Sequence, residues 1–166
     1  NGKGKCIKSF ISGDSAGGGL SLGVTLSLKD DNSELPDAVI PLSPWAELDP
    51  VSESYETNAN KDPYISRDAI AAFRDLYIEN ESDLKNPYAS PVYGNYKGFP
   101  PLLIQVGGRE VLLDDSKKIA ESAKSSGCEV KLEVWDDMVH VFHGYAPFLP
   151  EANEAFDVIA NFISNK

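Results

Sequence analysis

The chain has 166 residues, of which 42% are hydrophobic, and this is enough for one domain with a substantial core. Its formal net charge of −11 argues against nucleic acid and anionic membrane surfaces as partners. No apolar run reaches the length that a membrane-spanning helix needs. The two cysteines, Cys6 and Cys128, fit no zinc-binding spacing and predict free thiols in a reducing, cytoplasmic compartment.

Strand-like and helix-like patterns alternate along the chain, which predicts an α/β fold with a mainly parallel sheet. The first strand is predicted over Cys6–Ser12 and runs into the glycine-rich stretch GDSAGGGL. A helix follows, and one of its faces carries an aliphatic residue every four positions: Leu20, Val24 and Leu28. A second strand is predicted over Ala38–Leu42, and we expect Pro41 to weaken or bend its end.

The segment 45–97 differs in composition because it is rich in Pro, Asn, Asp and Tyr and poor in strand patterns. One helix is predicted in it, over about Ser66–Asn80, with Ser66 as its N-cap. Four apolar residues share a face of this helix: Ile70, Phe73, Leu76 and Tyr77. We expect the segment to be an excursion from the sheet, in the form of a cap, a lid or a long loop.

The remaining elements are predicted in the order strand, helix, strand, helix. Leu102–Val106 is a continuous apolar run, which is typical of a strand buried on both faces. A helix over about Asp115–Ser126 closes at Gly127, and Val130–Trp135 alternates like a half-buried strand near a sheet edge. The last helix, about Glu151–Ile163, is expected to present five residues to the core: Ala155, Phe156, Ile159, Phe162 and Ile163.

The stretch Gly13–Gly17 fits the pattern G-x-S-x-G and lies between a predicted strand and a predicted helix, as a nucleophile elbow requires. Small neighbours permit the sharp turn that exposes the Ser15 hydroxyl at the helix N-terminus, where negative charge is stabilised. The amide of Ala16 would then be one donor of an oxyanion hole. The alternative is a glycine-rich turn without chemistry. A P-loop is excluded because no Lys-Ser/Thr pair follows the glycines.

A nucleophilic serine needs a general base, and the chain has two histidines, His140 and His143. Both lie in DDMVHVFHGY, just after the predicted strand that ends at Trp135. A loop after a late parallel strand lies at the C-terminal edge of the sheet, which is where the nucleophile also lies. Either histidine could be an ordinary surface residue, but not both if Ser15 is a nucleophile.

The acid that orients the base should lie between the serine and the histidine in chain order. The stretch GGREVLLDDS follows the strand Leu102–Val106 and offers three carboxylates, those of Glu110, Asp114 and Asp115. Glu110 is nearest to the strand end, where position is best fixed, so it is the first choice and Asp114 the second. Asp114 and Asp115 open the next helix, and capping that helix is the simpler role for both.

Four stretches, GDSAGGGL, SPWAELDP, FPPLLIQVGGREVLLDDS and VKLEVWDDMVHVF, resemble the hormone-sensitive-lipase-like esterases of the α/β-hydrolase fold. The resemblance covers nearly the whole chain, in the right order. It implies hydrolysis of carboxylic esters, usually with small acyl groups, without a metal or an organic cofactor. It assigns the nucleophile to Ser15, the histidine of the family's M-x-H pattern to His140, and the acid to Glu110.

Two departures from the family pattern concern the acid and the oxyanion hole. The chain has E-V-L-L-D where the family usually has D-P-L-x-D, so Glu110 replaces an aspartate and Asp114 matches the last aspartate. A glutamate performs the same orienting role if its longer side chain is held. The family's H-G-G-G loop, whose amides complete the oxyanion hole, lies well upstream of the serine. We therefore expect an N-terminal half of the fold, from a second chain or from a longer natural protein.

The resemblance divides the chain into a hydrolase core over 1–44, a cap-like segment over 45–97 and further core over 98–166. Five aromatic residues of the cap are candidates for lining the site, although ordinary packing explains each one singly: Tyr55, Tyr64, Phe73, Tyr77 and Tyr88. The expected function is that of a serine carboxylesterase with a small-molecule ester substrate. The alternatives are a non-catalytic small-molecule receptor on the same scaffold and a hydrolase of lactones or carbamates. Analogy with the family also suggests a homodimer through Val130–Trp135.

Overall fold

Four parallel strands form one sheet in the order β1-β2-β3-β4. This arrangement is seen in a computed structural model that describes residues 8–166. The strands are β1 (Phe10–Asp14), β2 (Ala38–Leu42), β3 (Leu102–Gly107) and β4 (Val130–Trp135). Because they are parallel, their carboxyl ends all lie at the same edge of the sheet. The predicted α/β fold is confirmed, and β4 lies at the end of the sheet as expected.

Helices cover both faces of this sheet. Within residues 8–166 the α-helices are α1 (Ala16–Asp30), α2 (Ser54–Thr57), α3 (Arg67–Tyr77), α4 (Leu113–Ser125) and α5 (Pro150–Ser164), and there are also three short 3-10 helices. On one face, Leu22 of α1 and Ile119 of α4 share a core cluster with Ile104 of β3. On the other face, α5 packs against β3, where the carbonyl of Ala155 accepts a hydrogen bond from Gln105. No helix in the described part is long and apolar enough to cross a membrane.

The first two strands follow the prediction closely. The start of the strand predicted over Cys6–Ser12, including Cys6, lies outside the described residues. From Phe10 onward β1 pairs with β2 at every position and continues to Asp14, two residues further than predicted. Pro41 does not end β2. Strand β2 pairs with β3 through Val39 and Leu42.

Helix α1 buries a different face from the one that the four-residue repeat marks. Leu22 and Leu26 are buried in the core, whereas Leu20 and Val24 are 57% and 42% exposed. The helix therefore carries apolar residues on two faces, and a repeat of four residues does not distinguish between them. The apolar stripe formed by Leu20 and Val24 faces away from the core of the described chain.

Helix α3 is shorter than the predicted Ser66–Asn80 because Ile78 adopts an extended backbone. Ser66 is the N-cap as predicted, and its hydroxyl accepts the N–H of Ala69 at 3.2 Å. Ile70 is buried, but the other three members of the predicted apolar face are exposed: Phe73, Leu76 and Tyr77. Only one residue of this predicted face is therefore buried in the core.

The two C-terminal helices agree with the prediction in position. Gly127 closes α4 with a φ of +78°, a left-handed conformation that glycine adopts without strain. Of the five residues expected on the core side of α5, Ala155 is fully buried, whereas Phe156 is 43% exposed. The other three are partly buried: Ile159, Phe162 and Ile163.

Glycines in α1 let the chain that follows β2 pass close to the helix. A Cβ on Gly19 would lie 1.9 Å from the carbonyl oxygen of Trp45, and one on Gly23 would lie 2.1 Å from that of Tyr88. A Cβ on Gly17 would meet nothing within 4 Å. A Cβ on Gly18 would also lie 2.9 Å from the Cα of Pro44, so the backbone approach disfavours any larger residue at three positions of the helix, and Gly17 is not one of them.

The ring of His143 is buried between β3 and the C-terminal part of the chain. Its Nε2 lies 3.1 Å from Oε1 of Gln105, and its ring stacks at a tilt on Phe142 with 4.1 Å between ring centroids. Because the amide oxygen can only accept, Nε2 carries the proton, and the buried Nδ1 has no partner among the described residues. Burial lowers the pKa of His143 from 6.5 to about 4, against a weaker opposite effect of the Asp14 carboxylate.

We expect Gly19→Ala to lower the free energy of unfolding by about 1–3 kcal/mol, because the new Cβ overlaps the carbonyl of Trp45. Gly17→Ala is the matched control in the same helix and should raise the free energy of unfolding by about 0.5 kcal/mol through reduced backbone entropy of the unfolded chain. Urea denaturation of the three proteins measures both changes. Equal effects of the two substitutions would contradict the close backbone approach.

We also expect His143 to make stability depend on pH. Since the folded pKa is depressed, the folded chain binds fewer protons than the unfolded chain between pH 4 and pH 6.5. The contribution of neutral His143 to the free energy of unfolding is thus fully present above pH 6.5, and it is lost as the pH falls toward 4. The stability advantage of the wild type over His143→Gln should shrink by roughly 3 kcal/mol across this range. Urea denaturation at a series of pH values measures it.

The comparison with His143→Gln is needed because another group titrates in the same range with the opposite sign. Burial raises the pKa of Asp115 to about 7, and its effect on stability is common to the wild type and the variant. Only the difference between their two curves therefore reports on His143. If that difference were constant from pH 4 to pH 7, His143 would not be a buried neutral group.

Candidate active site

Ser15 occupies a strained turn between β1 and α1. Its backbone angles are φ +54° and ψ −120°, a region that residues other than glycine rarely adopt. The turn is held by three backbone hydrogen bonds, because the Ser15 N–H donates to the carbonyl of Leu42 and the Ser15 carbonyl accepts from Gly19 and Trp45. A serine that is forced into this geometry presents its hydroxyl at the edge of the sheet.

The glycine two residues before the serine is required by packing rather than by its own backbone angles. A Cβ on Gly13 would lie 2.3 Å from the carbonyl oxygen of Gly17, in the first turn of α1. A larger residue would push the helix away from the strand. The small residues of the G-x-S-x-G pattern therefore let α1 start immediately after Ser15.

The structure brings Ser15, His140 and Glu110 into one hydrogen-bonded chain. Nε2 of His140 lies 2.9 Å from Oγ of Ser15, and Nδ1 lies 2.8 Å from Oε2 of Glu110. The Glu110 side chain is fully buried and His140 is nearly so. An ionised carboxylate can only accept, so Nδ1 carries the proton and Nε2 is free to accept from the serine hydroxyl. This is the protonation state that a general base needs.

The three groups converge because they follow three strands of one parallel sheet. Ser15 follows β1, Glu110 lies in the loop after β3, and His140 lies in the loop after β4. His143, the other candidate base, points to Gln105 instead of Ser15. Of the two histidines, the structure therefore brings the one that the M-x-H pattern selects to the serine.

The second oxygen of the Glu110 carboxylate is also fully engaged. Oε1 accepts a hydrogen bond from the hydroxyl of Ser43 at 2.6 Å and another from the N–H of Gly107 at 2.6 Å. A buried carboxylate is costly unless its oxygens are hydrogen-bonded, and here each oxygen has a donor. The longer glutamate side chain is thus held in a fixed position.

The segment between β2 and β3 anchors the loop that carries Glu110. The side-chain amide of Asn58 donates to the carbonyls of Gly108 and Glu110 at 3.1 and 2.8 Å. Oδ2 of Asp62 accepts the N–H of Val111 at 3.0 Å, while its Oδ1 accepts two further N–H groups of its own turn. The acid loop and this segment are therefore joined by buried polar contacts.

Asp114 and Asp115 do not join the chain of Ser15, His140 and Glu110. The expectation that they cap α4 is wrong, because the N-cap is Leu112, with no side-chain capping bond. Asp115 is buried and accepts the backbone N–H groups of Ala46 and Glu47, both at 2.9 Å. Oδ2 of Asp114 accepts the N–H of Ser54 at 2.8 Å. Both carboxylates tie the start of α4 to the segment that follows β2.

Sequence reasoning missed three polar residues of the site, namely Ser43, Asn58 and Asp62. Ser43 directly follows β2, and a polar residue at the carboxyl end of a parallel strand is a signal that could have found it. Asp62 precedes Pro63 and was recognisable only as a turn residue. Asn58 lies in a polar stretch without any pattern, so nothing in the sequence marks its contact with the acid loop.

Two apolar cavities open beside the serine. The larger, about 390 Å³, is lined by Ser15, Ala16, Trp45, Ile65, Ile70, Phe73, Leu76 and Tyr77. The smaller, about 220 Å³, is lined by Ala16, Gly17, Gly19, Leu20, Trp45, Leu48, Tyr77, Tyr88 and Ala89. Of the five aromatic candidates, Phe73, Tyr77 and Tyr88 line one of these two cavities or both. Tyr55 is buried in the core beside Ile70, and the Tyr64 hydroxyl contacts that of Tyr145.

Ala16 is the first residue of α1 and lines both cavities. The first N–H groups of a helix have no acceptor within the helix, and they carry its positive dipole end. The N–H of Ser15 is not available to an oxyanion, because it donates to the carbonyl of Leu42. The helix N-terminus beside the serine is therefore suited to negative charge.

Comparison with known proteins agrees with this architecture. The sequence profile of the α/β hydrolase fold family matches residues 3–144. An acetyl-hydrolase from Streptomyces hygroscopicus is 37% identical over 153 residues, which is 92% of this chain and 51% of that protein. The chain thus spans about half the length of the relatives that it matches.

Solved structures give the same result. The crystal structure of an esterase/lipase from an uncultured bacterium matches with a TM-score of 0.89 and 46% sequence identity. The match covers 94% of this chain and 52% of the chain in that structure. That of an esterase from the bacterial hormone-sensitive lipase family has a TM-score of 0.89 and 42% identity, with coverage of 92% and 51%. The chain therefore belongs to the α/β-hydrolase fold family, and it is similar to esterases of the bacterial hormone-sensitive lipase family.

Proposed function

We propose that this chain carries the nucleophile, base and acid of a serine carboxylesterase that hydrolyses small carboxylic esters. The observation that carries the proposal is the chain of hydrogen bonds from Ser15 through His140 to the buried Glu110. Such a chain has a defined chemical use, because it activates a hydroxyl that is otherwise a weak nucleophile. The names of the relatives, an acetyl-hydrolase and esterases, support the same class of reaction.

Acylation begins when Oγ of Ser15 attacks the carbonyl carbon of the ester. The serine proton moves to Nε2 of His140, and the Glu110 carboxylate stabilises the imidazolium that forms. The carbonyl oxygen becomes negative and accepts the N–H of Ala16. When the bond to the alcohol breaks, His140 returns the proton to the leaving oxygen, and an acyl group remains on Ser15.

Deacylation repeats the sequence with water as the nucleophile. His140 takes a proton from the water as it attacks the acyl carbon, and then delivers that proton to Oγ of Ser15 as the carboxylic acid leaves. Each group thus ends in its starting state. The proton transfers of every step use the side chains of Ser15 and His140, and no step of this proposal draws on a metal or an organic cofactor.

The cavities beside Ser15 support a small substrate. A volume of about 390 Å³ is at the lower end of the range of small-molecule sites, and its lining is almost entirely apolar. We assign the short acyl group or the alcohol to these two cavities and treat 45–97 as the cap that shapes them. The alternative substrates for the same nucleophile are lactones, which are cyclic esters, and carbamates.

We further propose that the remaining oxyanion donors come from an N-terminal half of the same fold. The share of the relatives' length that the chain spans supports this, as does an exposed apolar stripe beside the site. The stripe is formed by Leu20 and Val24 of α1, and Leu76 of α3 is 86% exposed on the other side of the cavities. Exposed apolar surface of this kind typically marks an interface.

Two finer proposals concern assembly and compartment. The position of β4 at the end of the sheet leaves an edge through which two copies can pair, which supports a homodimer through Val130–Trp135. Cys128, a free and partly buried thiol, fits a reducing, cytoplasmic compartment.

A fluorophosphonate probe tests the proposed roles directly. We expect stoichiometric labelling of the folded wild type, no labelling of Ser15→Ala, and labelling of Glu110→Gln that is slower by roughly 100-fold or more. Asp114→Asn is the matched control, because this neighbouring acid contacts Ser54 and Lys117 rather than His140, and its labelling rate should change little. Mass spectrometry of the labelled protein measures site and rate.

The same experiment separates an enzyme from a receptor. Folded wild type that resists the probe while still binding small esters would contradict the esterase and indicate a non-catalytic receptor. Strong slowing by Asp114→Asn, with normal labelling of Glu110→Gln, would instead move the acid role to the second-choice residue.

Turnover of p-nitrophenyl acetate tests the missing oxyanion donors. The chain alone should turn over about 100- to 1000-fold more slowly than the longer protein encoded with the sequence upstream of Asn1, the typical loss for one donor. Mass in solution, measured alongside, shows whether a second copy contributes. A monomer of the 166-residue chain with the turnover of the longer protein would contradict the proposed N-terminal half.

A further inference from the structure

Ser43 is a buried residue that connects Glu110 with the loop that carries His140. It directly follows β2, whose neighbours in the sheet are β1 and β3, and its side chain is fully buried. Its hydroxyl donates to Oε1 of Glu110 at 2.6 Å. The same hydroxyl accepts the N–H of Val141, the residue after His140, at 3.2 Å. One oxygen atom therefore contacts both the acid and the histidine loop.

The direction of both hydrogen bonds is fixed by chemistry. A backbone N–H can only donate, so the bond from Val141 occupies a lone pair of the Ser43 oxygen. An ionised carboxylate can only accept, so the single hydroxyl proton of Ser43 points to Glu110. The hydroxyl is thus locked in one orientation, and it links two loops that follow different strands.

The backbone on both sides of this link is in an unusual conformation. Ser43 has a φ of +46°, and Val141, a β-branched residue, has a φ of +51°. Residues of these types are strained in such regions and persist only where the surrounding structure determines their conformation. The Ser43 N–H also donates to the carbonyl of Gln105 at 2.7 Å, which ties the residue to β3. Both strained residues therefore meet at the one hydroxyl.

We propose that Ser43 is a positioning residue, whose hydroxyl sets the angle of the Glu110 carboxylate and the distance of the His140 loop from Ser15. This inference rests on the proposed esterase function, and it adds a role for a residue outside the three groups that react. Without the hydroxyl, Oε1 of Glu110 keeps one donor, the N–H of Gly107, and the carboxylate can rotate. The N–H of Val141 loses its acceptor at the same time.

Two substitutions separate the hydroxyl from the strained backbone. Ser43→Ala removes the hydroxyl and keeps the strain, whereas Ser43→Gly removes both, since glycine adopts a positive φ freely. We expect kcat to fall about 10- to 100-fold in both variants, with KM within about threefold of wild type, because the loss is in alignment rather than in binding. Titration of active sites with the fluorophosphonate corrects for unfolded protein.

Ser90→Ala is the matched control. Ser90 is equally buried, and its hydroxyl also accepts a backbone N–H, that of Leu48 at 3.0 Å, but it bonds to neither Glu110 nor the His140 loop. Its kcat should stay within about threefold of wild type. A structural role for Ser43 alone would lower stability and leave kcat per active site unchanged, so this normalised kcat distinguishes the two roles.

A spectroscopic readout makes the test independent of turnover. The proton on Nδ1 of His140 gives a far-downfield NMR resonance when it is held against the Glu110 carboxylate. We expect this resonance in wild type and in Ser90→Ala, and its loss or broadening in Ser43→Ala and Ser43→Gly. If the more strained alanine variant does not fold, the glycine variant decides the result.

The outcomes for the positioning role and for the proposed function differ. Wild type that is labelled, together with Ser43→Gly at wild-type kcat and with an unchanged resonance, would overturn the positioning role and leave the esterase intact. Wild type that is not labelled would overturn the esterase, and the resonance in the Ser43 variants would still decide whether Ser43 holds the pair. Loss of the resonance with a slower normalised kcat supports the proposal.

Discussion

The burial of the Glu110 carboxylate is the constraint on which the rest of the site depends. A charge without access to water is costly unless hydrogen bonds replace its hydration. Here the donors come from three places in the sheet: the hydroxyl of Ser43 after β2, the N–H of Gly107 at the end of β3, and His140 after β4. Satisfying one carboxylate therefore fixes the relative positions of three strand ends. The orientation of the imidazole toward Ser15 is a consequence of the same requirement.

The long segment between β2 and β3 is ordered by carboxylates rather than by a sheet of its own. Asp62 and Asp115 each accept backbone N–H groups across the boundary between this segment and the loop or helix after β3. Asn58 completes the link by donating to the acid loop. A segment that contributes no strand to the sheet can in this way be held by polar contacts, each of which also satisfies a backbone group. The walls of the cavities are consequently coupled to the position of Glu110.

The sequence was sufficient where one local pattern has one structural solution. A continuous apolar run predicted β3, and the glycine pattern with its flanking elements predicted the turn at Ser15. The sequence was insufficient where one pattern is compatible with two structures. Helix α1 carries apolar residues on two faces, and only packing against the sheet determines that Leu22 is buried and Leu20 is exposed. Asp115 at a helix start matches a capping residue, but its partners are amides of a distant segment, near residue 46. Contacts between residues far apart in the chain leave no local signal.

The distribution of chemistry over the fold follows from the sheet order. The proposed nucleophile, acid and base lie after β1, β3 and β4, with Ser43 after β2 between them, so adjacent strand ends supply all three groups. In the proposed esterase, the charge on the oxyanion develops at the N-terminus of α1, beside the N–H of Ala16. The described residues offer the start of α1 on this side, and the further donors that we propose would approach from beyond the free side of β1. In the proposed esterase the described chain therefore holds the nucleophile, base and acid, whereas the stabilisation of the transition state depends in part on what packs against the other side of β1.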